Sequence, residues 1–213
     1  MRVPHKTLER KLLADGYGQV VGVDEVGMGC LAGPVVVCAV ALTNAFYKRS
    51  HKKLHGVRDS KMLLPRQRED FAHRLMSEKD LVYALAYSHP KTIDKINIYN
   101  AARQAMKKAV LKLKPNLNLK SIVLVDGKTK IKGLSTEQTP IVKGDRKVFA
   151  IACASIIAKV YRDKMMTKYA KKFPGYGFEK HKGYGTKEHQ VQLAKLGPCP
   201  IHRRSFAPVA KLI

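Results

Sequence analysis

Tryptophan is absent, and aromatic residues make up only 7% of the 213 residues. With so few large rings, a core must be built from aliphatic side chains. Hydrophobic residues at 45% are ordinary for a globular domain, which excludes disordered and fibrous classes. Cysteine is scarce too: Cys30, Cys38, Cys153 and Cys199 show no CxxC or Cys/His ligand spacing. That argues against a disulfide scaffold or structural zinc site and suits a reducing, cytoplasmic setting. Met1–Leu13 mixes charge with apolar residues and has no apolar run of signal-peptide length. Long apolar runs are missing elsewhere as well. Val26–Tyr47 carries no charge over 22 residues, but Gly27, Gly29, Gly33 and Pro34 interrupt it. Its continuous apolar part, Val35–Leu42, has the length of a buried strand, so no membrane association is expected. Acid is scarcest relative to what opposes it: 16 Asp and Glu stand against 41 Lys and Arg, a net charge of +25. Such an excess repels itself in a compact state and calls for a polyanionic partner.

What is present reads as one α/β domain with helices packed on a mixed sheet. Val20–Glu25, Val35–Leu42, Leu81–Ser88, Ser121–Asp126 and Thr139–Val142 read as strands. Asn97–Leu113 has the spacing of an amphipathic helix that stops before Pro115, and Lys147–Lys172 is the longest helix, with Phe149, Ala152, Cys153, Ile156, Ile157 and Val160 on one face. No repeat, low-complexity stretch or Ser/Gly linker divides residues 1–213. The main core is expected over about 18–172 and a loop-and-helix extension over about 173–213.

Between Lys143 and Lys182 there are eleven Lys or Arg and three acids, so the basic excess is concentrated toward the carboxyl-terminal half. A run such as Lys168, Lys171 and Lys172 is by default a solvated helix face. Interleaving with Tyr176, Phe178 and Tyr184 favours nucleic acid, since rings stack on bases or sugars while cations pair with phosphates. No segment has the apolar face opposed by lysines that lying on lipid requires.

In so basic a chain, acids beside apolar sequence need a reason. Asp24 and Glu25 end the first strand before a glycine-rich turn, Asp126 ends SIVLV, and Asp145 precedes the longest helix. Carboxylates at neighbouring strand ends meet where α/β sheets place their ligands, and crowded carboxylates repel one another without a divalent cation among them. Asp163 is left out: a mostly helical path from Asp145 spans roughly 27 Å at about 1.5 Å per residue, so it is expected to pair with a nearby Arg or Lys.

The blocks GVDEVGMGCLAGPVV, RDSKMLLPRQRE, INIYNAARQAM, VLVDGK, IVKGDRKVFAIACASIIAKVYRD, FPGYGFEKHKGYGTKEH and LGPCPIHRRSF, in this order from about Val20 to Phe206, resemble the signatures of the ribonuclease HII family. The resemblance implies a ribonuclease H-like fold and an endonuclease that cuts the RNA strand of RNA–DNA hybrids and the 5′ side of single ribonucleotides in duplex DNA. Cleavage of this type leaves a 3′-hydroxyl and a 5′-phosphate by two-metal-ion catalysis with Mn²⁺ or Mg²⁺. The family's catalytic and metal-binding acids match Asp24, Glu25, Asp126 and Asp145. Its turn that reads the ribose 2′-hydroxyl matches Gly27–Met28–Gly29, and the ring against the sugar beside the RNA–DNA junction matches Tyr184. Ser60 and Lys61 match its phosphate contacts, and Lys143, in the IVKGDRK block, is grouped with them as a substrate contact. The family usually has arginine in the middle of the turn. Met28 lacks that cation, so weaker substrate binding is expected than in Met28→Arg. A monomer is expected. The competing readings are a non-catalytic basic nucleic-acid-binding protein, which would have no use for clustered acids, and another nuclease on the same fold, indifferent to a 2′-hydroxyl.

Overall fold

The computed structural model describes residues 4–49, 54–113 and 119–213; Pro115, the expected helix stop, and Met1–Val3 lie outside them. Among the described residues, β1 (Gln19–Val26), β2 (Val35–Thr43), β3 (Leu81–Ser88), β4 (Ser121–Asp126) and β5 (Glu137–Ile141) form one sheet in the order β3-β2-β1-β4-β5. β2 runs antiparallel to β1 and β3, whereas β4 is parallel to both β1 and β5. The valine-rich run that could be mistaken for a membrane span is β2, buried along nearly its whole length. Among the described residues no helix is long and apolar enough to cross a membrane.

Strand alternation divides the core in two. Val20, Val36, Cys38, Val40, Ile122 and Leu124 face α6 (Phe149–Lys172). Val21, Val23, Val37, Ala39, Val123 and Val125 face α5 (Ile98–Lys112). Helix α6 lies very close to the sheet at Gly22, where a Cβ would fall 2.3 Å from the Ala150 carbonyl carbon. Its start is held by Glu9 of α1 (Thr7–Ala14), a fully buried acid whose Oε1 accepts the Ala150 N–H at 3.0 Å. One donor of the helix start that has no partner within the helix is thereby satisfied, by a carboxyl that burial raises above its usual range and that this hydrogen bond pulls back down.

Helix α6 corrects the expectation of a single apolar face. Every residue from Phe149 to Ala158 is buried, because the sheet, α3 (Pro65–Met76) and α7 (Phe178–His181) surround it. It begins at Phe149 instead of Lys147, after a 3₁₀ turn over Gly144–Arg146. Two short helices, α2 (Asn44–Arg49) after β2 and α4 (Pro90–Ile96) before α5, complete the core, and the tail continues through α8 (Lys187–Leu196) and α9 (Ala207–Ala210). It is stitched to the segment between β1 and β2: Leu31 N–H donates to Gly183 O at 2.9 Å, and Arg203 N–H donates to Leu31 O at 2.8 Å.

Candidate active site

β1 and β4 are parallel neighbours, in register through Val23 and Val125. Asp24 and Asp126 are the next residues on the two strands, so they emerge side by side at the carboxyl edge of the sheet. Asp24 is 5% exposed; its Oδ1 accepts the Glu25 N–H at 2.8 Å, and the Ser155 hydroxyl of α6 donates to its carboxylate. Ser155 Oγ lies 3.1 Å from Ser60 Oγ, so the buried Ser60 hydroxyl turns inward and steadies Asp24 through Ser155. Asp126 Oδ1 accepts the Gly144 N–H at 2.6 Å, tying the turn that carries Asp145 to the end of β4. All four acids line one cleft of about 580 Å³ with Gly27, Met28, Gly29, Ser60, Lys61 and Tyr184.

The electrostatics are those of negative charges kept together. Burial raises the Asp24 carboxyl well above the usual range, and Glu25 and Asp126 push it the same way against the Ser155 hydrogen bond. Glu25 is pushed up to about 7 by burial and then by Asp126. Asp145 is raised by burial, Asp59 and Asp126. Asp59 is itself engaged: its Oδ2 takes Arg146 Nε at 3.0 Å and its Oδ1 accepts the Lys61 N–H at 2.9 Å, capping the turn that presents Ser60 and Lys61. Among the described residues no three His, Cys, Asp or Glu side chains already stand in closed metal-ligand geometry. The donor set nevertheless fits a hard divalent cation, because its carboxylate oxygens repel one another in a cleft that a positive charge would relieve.

The glycine turn and the segment that follows it to Pro34 are held from behind by two arginines, Arg203 and Arg162, both 0% exposed. Arg203 donates to Gly27 O at 2.6 Å, Met28 O at 2.8 Å and Gly33 O at 3.0 Å. Arg162 donates to Pro34 O at 3.0 Å, Ala32 O at 3.1 Å and Lys182 O at 2.8 Å. These bonds satisfy carbonyls that the turn would otherwise bury unpaired. Gly27 has a φ of +100°, and a Cβ there would fall 2.3 Å from Arg162 Nε, so both backbone and space demand glycine. The Met28 side chain is partly buried against Val35, Ile93, Ala101 and Ala102 and packs as a hydrophobe.

Tyr184 stands 37% exposed at the rim, with Lys159 Nζ 5.3 Å from its ring centre. Two histidines fix its backbone. His189 Nδ1 lies 2.8 Å from Tyr184 O, His189 Nε2 lies 3.1 Å from His202 Nε2, and His202 Nδ1 accepts the Cys199 N–H at 3.0 Å. A carbonyl only accepts, so His189 donates from Nδ1, and His202 donates from Nε2 to His189 Nε2. Both rings are therefore neutral, in keeping with the lowering of both by burial, His202 to about 4.

Several expectations change. Tyr176 and Phe178 do not face a ligand: they are 7% and 0% exposed and stack on each other at 5.2 Å, forming the core under the tail. Lys143 is exposed, begins the Asp145 turn in the left-handed region and does not line the cleft. Asp163 pairs with Lys159 at 2.9 Å and Arg68 at 3.4 Å, the kind of basic partner expected for it; both cations line the acid cleft, and Asp163 itself does not. The basic concentration takes shape as a groove of about 940 Å³ along α6 beside Tyr184, lined by Lys159, Lys164, Lys168, Lys171, Lys180 and Lys182. Arg162, Arg203, Ser155 and Lys159 were missed as site residues. Nothing local marks a buried arginine whose partners are backbone carbonyls distant in the chain.

A mixed sheet with acids gathered at the ends of its central strands, flanked by helices on both faces, is the architecture of a ribonuclease H-like nuclease. The sequence comparisons make this more specific. The family model described as Ribonuclease HII matches residues 21–209. The ribonuclease HII of Caldicellulosiruptor bescii is 49% identical over 201 residues, covering 93% of this chain and 91% of that protein. Among solved structures, ribonuclease H2 from Pyrococcus horikoshii OT3 matches with a TM-score of 0.70 at 29% identity, over 91% of this chain and 96% of that one. A ribonuclease HIII crystallised with Mn²⁺ shares the fold, with a TM-score of 0.68 at 17% identity over 92% of this chain and 70% of that one. The chain belongs to the ribonuclease HII family. It is an enzyme of the ribonuclease H type, an endonuclease acting on RNA–DNA hybrids.

Proposed function

We propose that the enzyme cuts the ribonucleotide-bearing strand on the 5′ side of the ribonucleotide, including a lone one within duplex DNA, and leaves a 3′-hydroxyl and a 5′-phosphate. The observation that carries this reading is the gathering of Asp24, Glu25, Asp126 and Asp145 in one cleft whose wall is the Gly27–Gly29 turn. Asp24, Glu25, Asp126 and Asp145 would hold divalent ions, Mn²⁺ or Mg²⁺. Bound there, the ions would activate a water and stabilise the departing 3′-oxygen in an in-line displacement.

The chain's own groups do the rest. Ser155 fixes Asp24, and the Gly144 N–H fixes Asp126. Arg203 holds the Gly27 and Met28 carbonyls from behind, so that the exposed side of the turn, at Gly29, is free to approach a 2′-hydroxyl, the group that separates RNA from DNA. Lys61 and Lys159 put positive charge along the cleft for phosphates, and the Tyr184 ring packs on the sugar past the ribonucleotide. The basic groove along α6 would carry the duplex. Ser60 acts through Ser155 on Asp24, and the exposed Lys143, at the start of the turn that carries Asp145, would offer a cation to the substrate. The core over about 18–172 and the tail work as one unit, a monomer, and the free thiols suit the cytoplasm.

The test is a Mn²⁺-supplemented cleavage assay on duplexes with and without one ribonucleotide, with the cut mapped. One cut 5′ of the ribonucleotide is expected, lost with chelator. Equal cutting of the all-deoxy duplex would overturn the reading in favour of a different nuclease. An Asp126→Asn variant that binds the hybrid without cutting separates catalysis from mere binding.

A further inference from the structure

The acid cleft opens onto a second recess, on the face of the sheet away from the basic groove. Glu25, next along β1 after Asp24, points toward the α5 face, and there it shares with Met28 and Asp126 the wall of a recess of about 370 Å³. Tyr99, Arg103 and Lys128 line it. Tyr99 and Arg103 are one turn apart on α5 and share a face of that helix. Tyr99 is 70% exposed, a large ring kept in water while Ala101, Ala102, Ala105 and Met106 make the core contacts of α5. Arg103 is half-buried and donates to the Lys130 carbonyl, which lays its guanidinium along the recess, close enough for its charge to act on Glu25. Lys128 is exposed on the loop that follows β4.

The four acids therefore stand between two recesses of similar chemistry, each with a solvent-facing tyrosine and cations. One begins at Tyr184 and Lys159, the other at Tyr99 and Arg103. A nucleic-acid strand whose scissile phosphate lies at the acids must leave the cleft on both sides, and rings beside cations are what a strand's bases, sugars and phosphates recognise. We propose that Tyr99, Arg103 and Lys128 form a binding subsite for the nucleotides 5′ of the cut, opposite the sugar at Tyr184. Tyr99 packs under a base or sugar, and the two cations meet phosphates. This assignment rests on the proposed cut and deepens it by naming where the upstream strand is held.

The test compares two one-ribonucleotide duplexes with Mn²⁺ present. In one the cut strand has a long 5′ flank; in the other it begins one nucleotide upstream of the ribonucleotide, opposite the same full-length complement. Tyr99→Ala is the main variant, since an exposed ring can be removed without unfolding the chain, and Arg103→Gln is the second. On the long flank, Tyr99→Ala is expected to raise KM roughly tenfold with kcat within about twofold, the size of one lost stacking contact. On the short flank the wild type should show the raised KM, and the variant no further loss. A penalty of equal size on both duplexes, or none on either, overturns the subsite while leaving the nuclease reading intact. A wild type that cuts neither duplex overturns the proposed function, and the subsite with it.

Discussion

Asp24, Glu25 and Asp145 are held above their ordinary carboxylate range by burial first and then by neighbouring carboxylates, Asp126 acting on all three, so the metal-free site carries stored repulsion. The sign of its effect on stability follows from linkage. Glu25, raised to about 7, contributes stability that is present below its unfolded value of about 4.5 and lost as pH rises through 7. Glu25→Gln should therefore stabilise the metal-free protein at pH 8 by about 1–2 kcal/mol, after discounting for partial solvent screening, and by less at pH 5. Urea unfolding in chelator at the two pH values checks this; an equal effect at both would contradict it. The same variant should lose activity, a trade of function for stability. The acids were legible because they are rare in a basic chain and sit at strand ends. Arg162 and Arg203 were not, since an arginine in a charged stretch reads as surface, and only the folded chain brings carbonyls of the Gly27–Pro34 segment to them. Met28 was legible as a missing cation, but its packing against Ile93 and Ala102 was not.

At the scale of elements, the site is a join between the sheet and the tail. Arg203, in the loop before α9, grips the turn that follows β1, and His189 at the start of α8 holds the Tyr184 backbone. Arg203→Lys keeps the charge but cannot reach three carbonyls at once. It should lower kcat/KM on a one-ribonucleotide duplex about a hundredfold by loosening the turn, while Mn²⁺ affinity, set by the acids, stays within about twofold. Parallel losses in both would contradict a role confined to positioning the turn. Four strands were readable to within a residue: β1, β2 and β4 are the apolar runs that sheets covered on both faces contain, and β3, at the sheet edge, is a short apolar and aromatic run that leaves Val82 and Tyr87 exposed. β5 was displaced by two residues at its start, from Thr139 to Glu137, since its alternation is short and interrupted by Pro140. α3 went unassigned because only Ala72 and Leu75 of its twelve residues are buried, too few to give a period. The tail's aromatic spacing could not tell an inward ring from an outward one: Tyr176 and Phe178 build the core on which Tyr184 is mounted.

Across the whole molecule, a net charge of +25 resolves into a lysine-lined groove along α6 and a smaller recess beside α5, with the scarce acids between them. The overall charge brings a polyanion to the surface, and the acid cleft decides what happens to it. Duplex binding by an Asp126→Asn variant should fall steeply with salt, by about a thousandfold between about 50 and 200 mM if six or more phosphates are contacted. A flat dependence would show that the groove is not the track. The central claim is that four carboxylates, distant in sequence, make one cation centre. Mn²⁺ titration followed by electron paramagnetic resonance addresses it most directly, comparing the wild type with Asp24→Asn, Asp126→Asn and the double variant. The expected result is Mn²⁺ binding by the wild type, a loss of at least about tenfold in affinity in either single variant, and a double variant little worse than the singles, as for ligands of one centre. Binding unchanged by either substitution would contradict the account.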